Sequence, residues 1–301
     1  VSRTSPPTPE LAHWHGTAGF RYGLSVFEGI RVTRGERGET VFVGGEHHFA
    51  RLHQSLRALH LADGSDDAKH LAELTRLLGT RAGDDDPCGA RIFTYATERD
   101  LLSIPTATVY DVVDLSRYGP AAPARLLSGP YQRHARGALE RTIKSPSTYP
   151  EARLALVDAR SRGADDVVFV NEHGRATEAT RASLVFIHGD RCLVPSLREG
   201  VLDGVTRRLV RLVAEERGLV WEETEVPLDL ARASDAVLMT SSSLGVRPAG
   251  RLDDRPLDLA SPAARALVDG YDQICRGAWT GSGTGNITLA PSAASPAEVV
   301  A

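Results

Sequence analysis

A mixed α+β chain in two units, a smaller one ahead of a Gly- and Pro-rich connector and a larger one behind it, is the fold class this sequence predicts. Strand-like and helix-periodic segments alternate along the whole chain. Tyr118-Gly119-Pro120-Ala121-Ala122-Pro123 is the strongest breaker away from the ends. A length of 301 residues with 42% hydrophobic content is too long for one small domain and too apolar for a disordered chain. The expected division is 1–117, a connector at 118–123, and 124–301.

In the first unit Pro6, Pro7 and Pro9 mark an extended lead-in. Residues 25–33 and 40–43 have strand composition and are separated by the turn-like Arg34-Gly35-Glu36-Arg37-Gly38. Phe49, Leu52, Leu56 and Leu59 recur at helical spacing along one stripe. Ser65 is the expected cap of a second helix that buries Leu71, Leu74, Leu77 and Leu78. Strands at about 90–97 and 107–115 complete the unit. Beyond the connector, strands are expected near 125–129 and 138–143, then a helix starting at Pro150 and stopping at Gly163. A hairpin follows, 167–171 and 175–178 around Glu172-His173-Gly174, with further strands at 184–187 and 191–194. Val205, Leu209, Leu212 and Val213 make an amphipathic helix closed by Gly218. Strands at 220–226 and 236–240 and a helix near 263–274 follow. From Gly281 the Gly-, Ser-, Ala- and Pro-rich tail reads as loose.

The balance of charge narrows the function. A net charge of −4 provides no excess of cations for nucleic acid or an acidic membrane surface. Apolar runs fall far short of the roughly 20 residues a spanning helix needs, and no charged-then-apolar leader opens the sequence, so a cytoplasmic protein is expected. Cys88, Cys192 and Cys275 form no C-x-x-C pair. His13-Trp14-His15 and His47-His48 lack a third ligand at useful spacing, so no metal site is expected. Gly281-Ser282-Gly283-Thr284-Gly285 is too close to the end to open a dinucleotide-binding unit. G-x-S-x-G is absent, which leaves acyl-enzyme chemistry unsupported.

Only Lys69 and Lys144 among the 35 cations are Lys; the other 33 are Arg. Against that bias a Lys is kept by chance or where Arg cannot act, because Arg stays protonated whereas a desolvated Lys can lose its proton and attack a carbonyl. Lys69 sits in a polar helix start and reads as solvated. Lys144, in Arg141-Thr142-Ile143-Lys144-Ser145-Pro146, belongs to no exposed helix face and is the candidate for chemistry. Val201-Leu202-Asp203-Gly204-Val205-Thr206-Arg207 places a Gly turn at a helix start, an anion site by geometry and dipole. Thr240-Ser241-Ser242-Ser243 ends an apolar strand and could serve a second anionic group. Glu178, after a short strand, is an acid placed to meet a cationic ring nitrogen, and Arg51 lies beside the apolar stripe of its helix.

Two stretches carry a resemblance. Tyr22-Gly23-Leu24-Ser25-Val26-Phe27-Glu28-Gly29-Ile30-Arg31, with Glu46-His47-His48-Phe49-Ala50-Arg51-Leu52, resembles the N-terminal signature of the fold-type IV pyridoxal-phosphate enzymes, closest to branched-chain aminotransferases. Lys144-Ser145-Pro146-Ser147-Thr148-Tyr149 resembles that family's Lys-x-x-x-x-Tyr, and Glu178 follows in a segment like its glutamate motif. The resemblance runs from about Tyr22 to Pro248. It implies a small α+β N-terminal domain, a larger barrel-like C-terminal domain, pyridoxal 5'-phosphate as cofactor and a homodimer. Lys144 would form the Schiff base with the cofactor aldehyde and shuttle the proton between substrate and cofactor. Glu178 would pair with the pyridinium nitrogen. Tyr149 would bond the ring's phenolate oxygen. Arg51, the N–H groups of Val205 and Thr206, and the Ser242 hydroxyl would hold the phosphate. The N–H groups of Ser242 and Ser243 would take the substrate α-carboxylate, with Tyr22, Phe27 and Arg31 on the substrate side and Arg91 available for a distal acid.

The implied reaction moves an amino group between a hydrophobic L-amino acid and a 2-oxo acid such as 2-oxoglutarate. Several positions depart from the family pattern. Gly89 replaces a Tyr, Ser241-Ser242-Ser243-Leu244 replaces Gly-Thr-Ala-Ala, and Ser183 stands where Asn is usual. These differences fall on the substrate side and point to a specialised donor or acceptor. A D-amino-acid aminotransferase, which places a later Arg where this chain has Ala96, and an aminodeoxychorismate lyase are alternatives within the family; a non-catalytic binding protein is the alternative outside it.

Overall fold

A computed structural model of the protein describes residues 15–62, 64, 66–80, 87–115, 122–133 and 142–290. The first part contains α1 (Ala18–Tyr22), β1 (Ser25–Arg34), β2 (Thr40–Phe42), α2 (Gly45–Ala58), α3 (Asp67–Gly79), β3 (Cys88–Ala96) and β4 (Thr106–Asp114). Then come β5 (Ala124–Gln132), α4 (Tyr149–Ser161), β6 (Asp166–Val170), β7 (Ser183–His188), β8 (Arg191–Pro195), α5 (Val205–Glu216) and β9 (Val220–Thr224). The last part is α6 (Leu228–Arg232), β10 (Ala236–Ser241), β11 (Gly245–Leu252), β12 (Arg255–Pro256), α7 (Pro262–Cys275) and β13 (Ile287–Leu289).

Two sheets organise these elements into the expected mixed α+β fold. The first is wholly antiparallel, in the order β13-β2-β1-β3-β4. The second is mixed, in the order β6-β5-β11-β10-β7-β8-β9 with β12 on β11, and curls into a half-barrel. Strand alternation decides what each face of the first sheet does. Val26, Ile30 and Val32 of β1 and Ala90, Ile92 and Ala96 of β3 pack with Phe49, Leu52 and Leu56 of α2 in one core. Phe27, Gly29 and Arg31, with Gly89, Arg91 and Phe93, therefore point to the opposite face, toward the second sheet. A second core joins α5 and α7 to β7, β8 and β10, and Val41 and Val43 of the first sheet also enter it. Among the described residues no helix is long and apolar enough to cross a membrane.

Four details correct the sequence reading. The tail from Gly281 is not loose over the described residues: β13 pairs with β2, and Asn286 accepts from the Gly44 N–H (2.8 Å) while donating to the Ile274 carbonyl (2.9 Å). Gly283 and Gly285, at φ +86 and +58, supply the left-handed backbone that turns the chain into that pairing. The second helix is capped by Asp66, whose side chain accepts from Lys69 N; Ser65 lies outside the described residues. The strand expected near 138–143 is a turn at residues 142–143, and 134–141 lie outside the described residues, as do 1–14 and 118–121. Finally, β11, which contains Pro248, is not among the expected strands. It is accommodated because pairing with β5 begins only at Ala249, so the missing proline N–H falls outside that ladder.

Candidate active site

Between the two sheets lies a cavity of about 400 Å³, in the size range of small-molecule sites (roughly 300–1,000 Å³). The first sheet and α2 supply Phe27, Arg31, Arg51, Arg91 and Phe93. Opposite them stand Lys144, Tyr149, Glu178, Val205, Thr206, Ser242 and Ser243. Tyr22 is the sequence-predicted residue that does not join them: at the end of α1, just before the left-handed Gly23, it is 50% exposed and outside the cavity.

Lys144 is pinned through its backbone. Its N–H donates to Ser55 Oγ on α2 (3.1 Å), and its carbonyl accepts from the Phe27 N–H on β1 (3.0 Å). The amine stands 4.5 Å from the centre of the Phe27 ring. Burial, reinforced by the Arg51 charge, lowers its pKa to about 8 despite Glu28 and Glu178. The spacing to Tyr149 is set by one 3-10 turn, Pro146–Thr148, capped by Ser145, which leads directly into α4. Tyr149 begins that helix with its ring 5.8 Å from Phe27, and burial raises its phenol pKa, keeping it a protonated donor.

Glu178 sits in the loop after the β6 hairpin. Thr180 holds that loop: its N–H and hydroxyl donate to the buried Asp166 carboxylate at 3.0 and 2.9 Å. The two Glu178 oxygens meet Arg133 Nη2 (3.0 Å) and the Leu202 N–H (3.2 Å). Arg133 continues to Glu151 (2.7 Å) and to the Ala179 carbonyl, so it anchors the acid from behind. Opposite, α5 opens at Gly204 without a side-chain cap, which leaves its first N–H groups, at Val205 and Thr206, for an anion. A Cβ on Gly204 would come within 2.8 Å of Ser183 Oγ, so any other residue here would force the Ser183 hydroxyl to turn away.

The anion end rests on a buried cluster that the sequence reading missed. Arg51 donates from Nε and Nη2 to the two oxygens of Glu28 (2.7 and 2.8 Å) and from Nη1 to the Asp203 carbonyl (2.7 Å). His48 Nδ1 lies 2.6 Å from Glu28, and its Nε2 lies 3.2 Å from Ser242 Oγ. Burial opposes ionisation of Glu28, and the Arg51 guanidinium overcomes it, holding the carboxyl well below the usual range. Burial lowers the His48 pKa more than Glu28 raises it, so its neutral ring donates from Nδ1 and accepts the Ser242 hydroxyl at Nε2. The signal was present: Glu28 occupies an inward position of β1 between Val26 and Ile30, and a charge on an apolar face needs buried partners. Arg133 carried no such signal among 33 arginines.

These donors suit a phosphorylated, aldehyde-bearing cofactor: a helix start, an oriented arginine and serine hydroxyls at one end, a partly neutral amine in the middle and an anchored carboxylate beyond. Thr240 Oγ1, buried without a partner, faces the same space.

Comparisons with known proteins agree. Residues 25–252 match the family model for amino-transferase class IV. A probable branched-chain-amino-acid aminotransferase of Aquifex aeolicus is 24% identical over 272 residues, covering 87% of this chain and 86% of the relative. The solved branched-chain aminotransferase of Thermoproteus uzoniensis, in complex with norvaline, has a TM-score of 0.80 at 21% identity and covers 88% of this chain and 89% of its own. That of Thermobaculum terrenum, in its pyridoxal-phosphate form, has a TM-score of 0.80 at 21% identity over 91% of this chain and 90% of its own. With the family model spanning every residue that lines the cavity, the chain belongs to the class IV aminotransferases, transaminases that work with pyridoxal 5'-phosphate.

Proposed function

We propose that the protein moves an amino group between a hydrophobic L-amino acid and a 2-oxo acid, with Lys144 as the reacting amine. The observation that carries this reading is the meeting of Lys144, Tyr149, Glu178, Arg51 and the start of α5 around one cavity, which Phe27, Phe93, Val113 and Leu115 line with apolar surface beside Arg31, Arg91 and Arg181. When bound, the cofactor supplies an aldehyde that condenses with amines and an electron-poor ring that accepts the electron pair left at the substrate Cα.

The protein's own residues do the rest. At a pKa of about 8, roughly a quarter of Lys144 is neutral at pH 7.5, against about one part in a thousand for an ordinary lysine. Its amine can therefore attack and, once displaced by substrate, can take and return the Cα proton. Glu178, held by Arg133 and the Leu202 N–H, presents a carboxylate to a protonated ring nitrogen. Tyr149 donates to the ring oxygen. Arg51, the N–H groups of Val205 and Thr206, and the Ser242 hydroxyl, turned from His48 to the anion, take the phosphate, while the N–H groups of Ser242 and Ser243, beside Arg31, take the substrate α-carboxylate. The exposed apolar tip of the β3–β4 loop, Leu101, Leu102 and Ile104, supports assembly with a second copy.

The test is the visible spectrum of the protein with pyridoxal phosphate while L-leucine, L-glutamate, D-alanine and a simple amine are added in turn. The expected result is a lysine-dependent visible band, absent in Lys144→Arg, that L-leucine bleaches as the cofactor takes up the amino group. No band in the wild type removes the cofactor assignment. A band that no donor bleaches removes the transaminase substrates named here.

A further inference from the structure

We propose that Asp111 determines the substrate class: by occupying Arg91 it leaves the β3–β4 wall of the cavity without net charge, and so selects an uncharged substrate side chain over a dicarboxylate. The inference rests on the reaction proposed above and concerns the residue that sets its specificity.

Arg91 is the cation placed to meet a distal carboxylate. It lies at an outward position of β3, lines the cavity, and is paired across the sheet with Gly29, which has no side chain to screen it. Arg31 serves the other end of the substrate. Its Nη2 comes within 3.3 Å of where a Cβ on Gly245 would be, next to the serine turn assigned to the α-carboxylate.

On its other side Arg91 is paired in register with Asp111 of β4, so the two side chains leave the sheet together on one face. Their contact is bidentate, with Nε to Oδ1 at 2.7 Å and Nη2 to Oδ2 at 2.5 Å. That geometry uses both carboxylate oxygens and the two guanidinium donors best placed for a planar acid. A glutamate or 2-oxoglutarate side chain would have to displace Asp111, trading one carboxylate for another with no net gain. A cationic side chain would find the Asp111 oxygens already engaged. What remains is apolar: Phe93 beneath the guanidinium, Val113 next outward along β4, and Leu115 just past its end. Gly89 leaves no space to change this, since Val113 and Leu115 come within 3.1 and 3.3 Å of its Cβ position.

Asp111→Asn keeps the shape and removes the competing charge. The ratio of kcat/KM for L-glutamate to that for L-leucine is expected to rise at least tenfold in Asp111→Asn. Arg91→Gln, which exposes Asp111 instead, should raise the ratio for L-ornithine to L-leucine in the same way. A binding measurement stands apart from turnover: the holoenzyme's affinity for glutarate relative to 4-methylpentanoate should increase at least tenfold in Asp111→Asn. Wild type that uses glutamate as well as leucine would overturn the proposal and assign the distal acid to another cation, such as Arg181. Equal changes for glutarate and 4-methylpentanoate in Asp111→Asn would also overturn it, by making the pair structural only. If the carboxylate affinities shift as expected but no donor gives up its amino group, the transaminase substrates fail and the assignment of Asp111 stands.

Discussion

Replacing Lys144 by Met should stabilise the apoprotein, and the gain should disappear as pH rises. In the unfolded chain the amine titrates at about 10.5; in the fold, burial brings it to about 8. Below pH 8 both states hold the proton, so the fold bears the full cost of a charged amine in a desolvated site beside Arg51. Between pH 8 and 10.5 the unfolded state holds more protons than the native one, and native stability rises. At 1.36 kcal/mol for each pH unit separating the two values, the whole effect is on the order of 3 kcal/mol. Met fills nearly the same volume and carries no proton, so its packing difference is constant with pH. Urea unfolding of both apoproteins at pH 7, 8.5 and 10.5 should show Lys144→Met ahead by about 3 kcal/mol more at pH 7 than at pH 10.5. Other groups titrating over that range cancel in the difference. A difference that stays flat would mean that the amine keeps its ordinary pKa, and that the reactivity proposed for it needs another explanation.

Two further predictions concern groups that hold the site together. Glu28→Gln leaves the Arg51 guanidinium buried without its counter-charge, which typically costs about 3–5 kcal/mol; chemical denaturation measures it, and affinity for inorganic phosphate should fall with it. Loss of less than about 1 kcal/mol would show that water replaces the carboxylate. Asn286→Ala orphans the Gly44 N–H and the Ile274 carbonyl together, for an expected loss of about 2–4 kcal/mol. Hydrogen exchange in β2 should quicken as β13 detaches, and unchanged exchange there would mean that β13 is held by its own ladder alone.

Much of the site could be read from the chain because its residues are chemically unusual where they stand. Lys144 was visible against an arginine-rich background, and that same background hid Arg133, which differs from the other arginines only in its neighbours. Strand and helix periodicity placed Phe27, Arg51 and Val205 on their elements and Ser242 in the turn that ends β10, since side-chain direction follows local geometry. Glu28 could have been found by the same alternation, as a charge set between Val26 and Ile30 on the inward face of β1.

Local periodicity and residue chemistry are enough to give the set of elements, the candidate amine and the motifs that mark the family. Which charges cancel is fixed by the folded sheets alone. Arg91 and Asp111 are 20 residues apart across a β3–β4 connection whose sequence carries no two-residue turn signal, so their register could not be read, and a one-residue slip would put them on opposite faces. The tail likewise reads as loose by composition and is ordered by β2, whose edge offers hydrogen bonds that composition does not encode. Ion pairing and edge pairing depend on distances between segments remote in the chain, and those distances exist only once the sheets have formed.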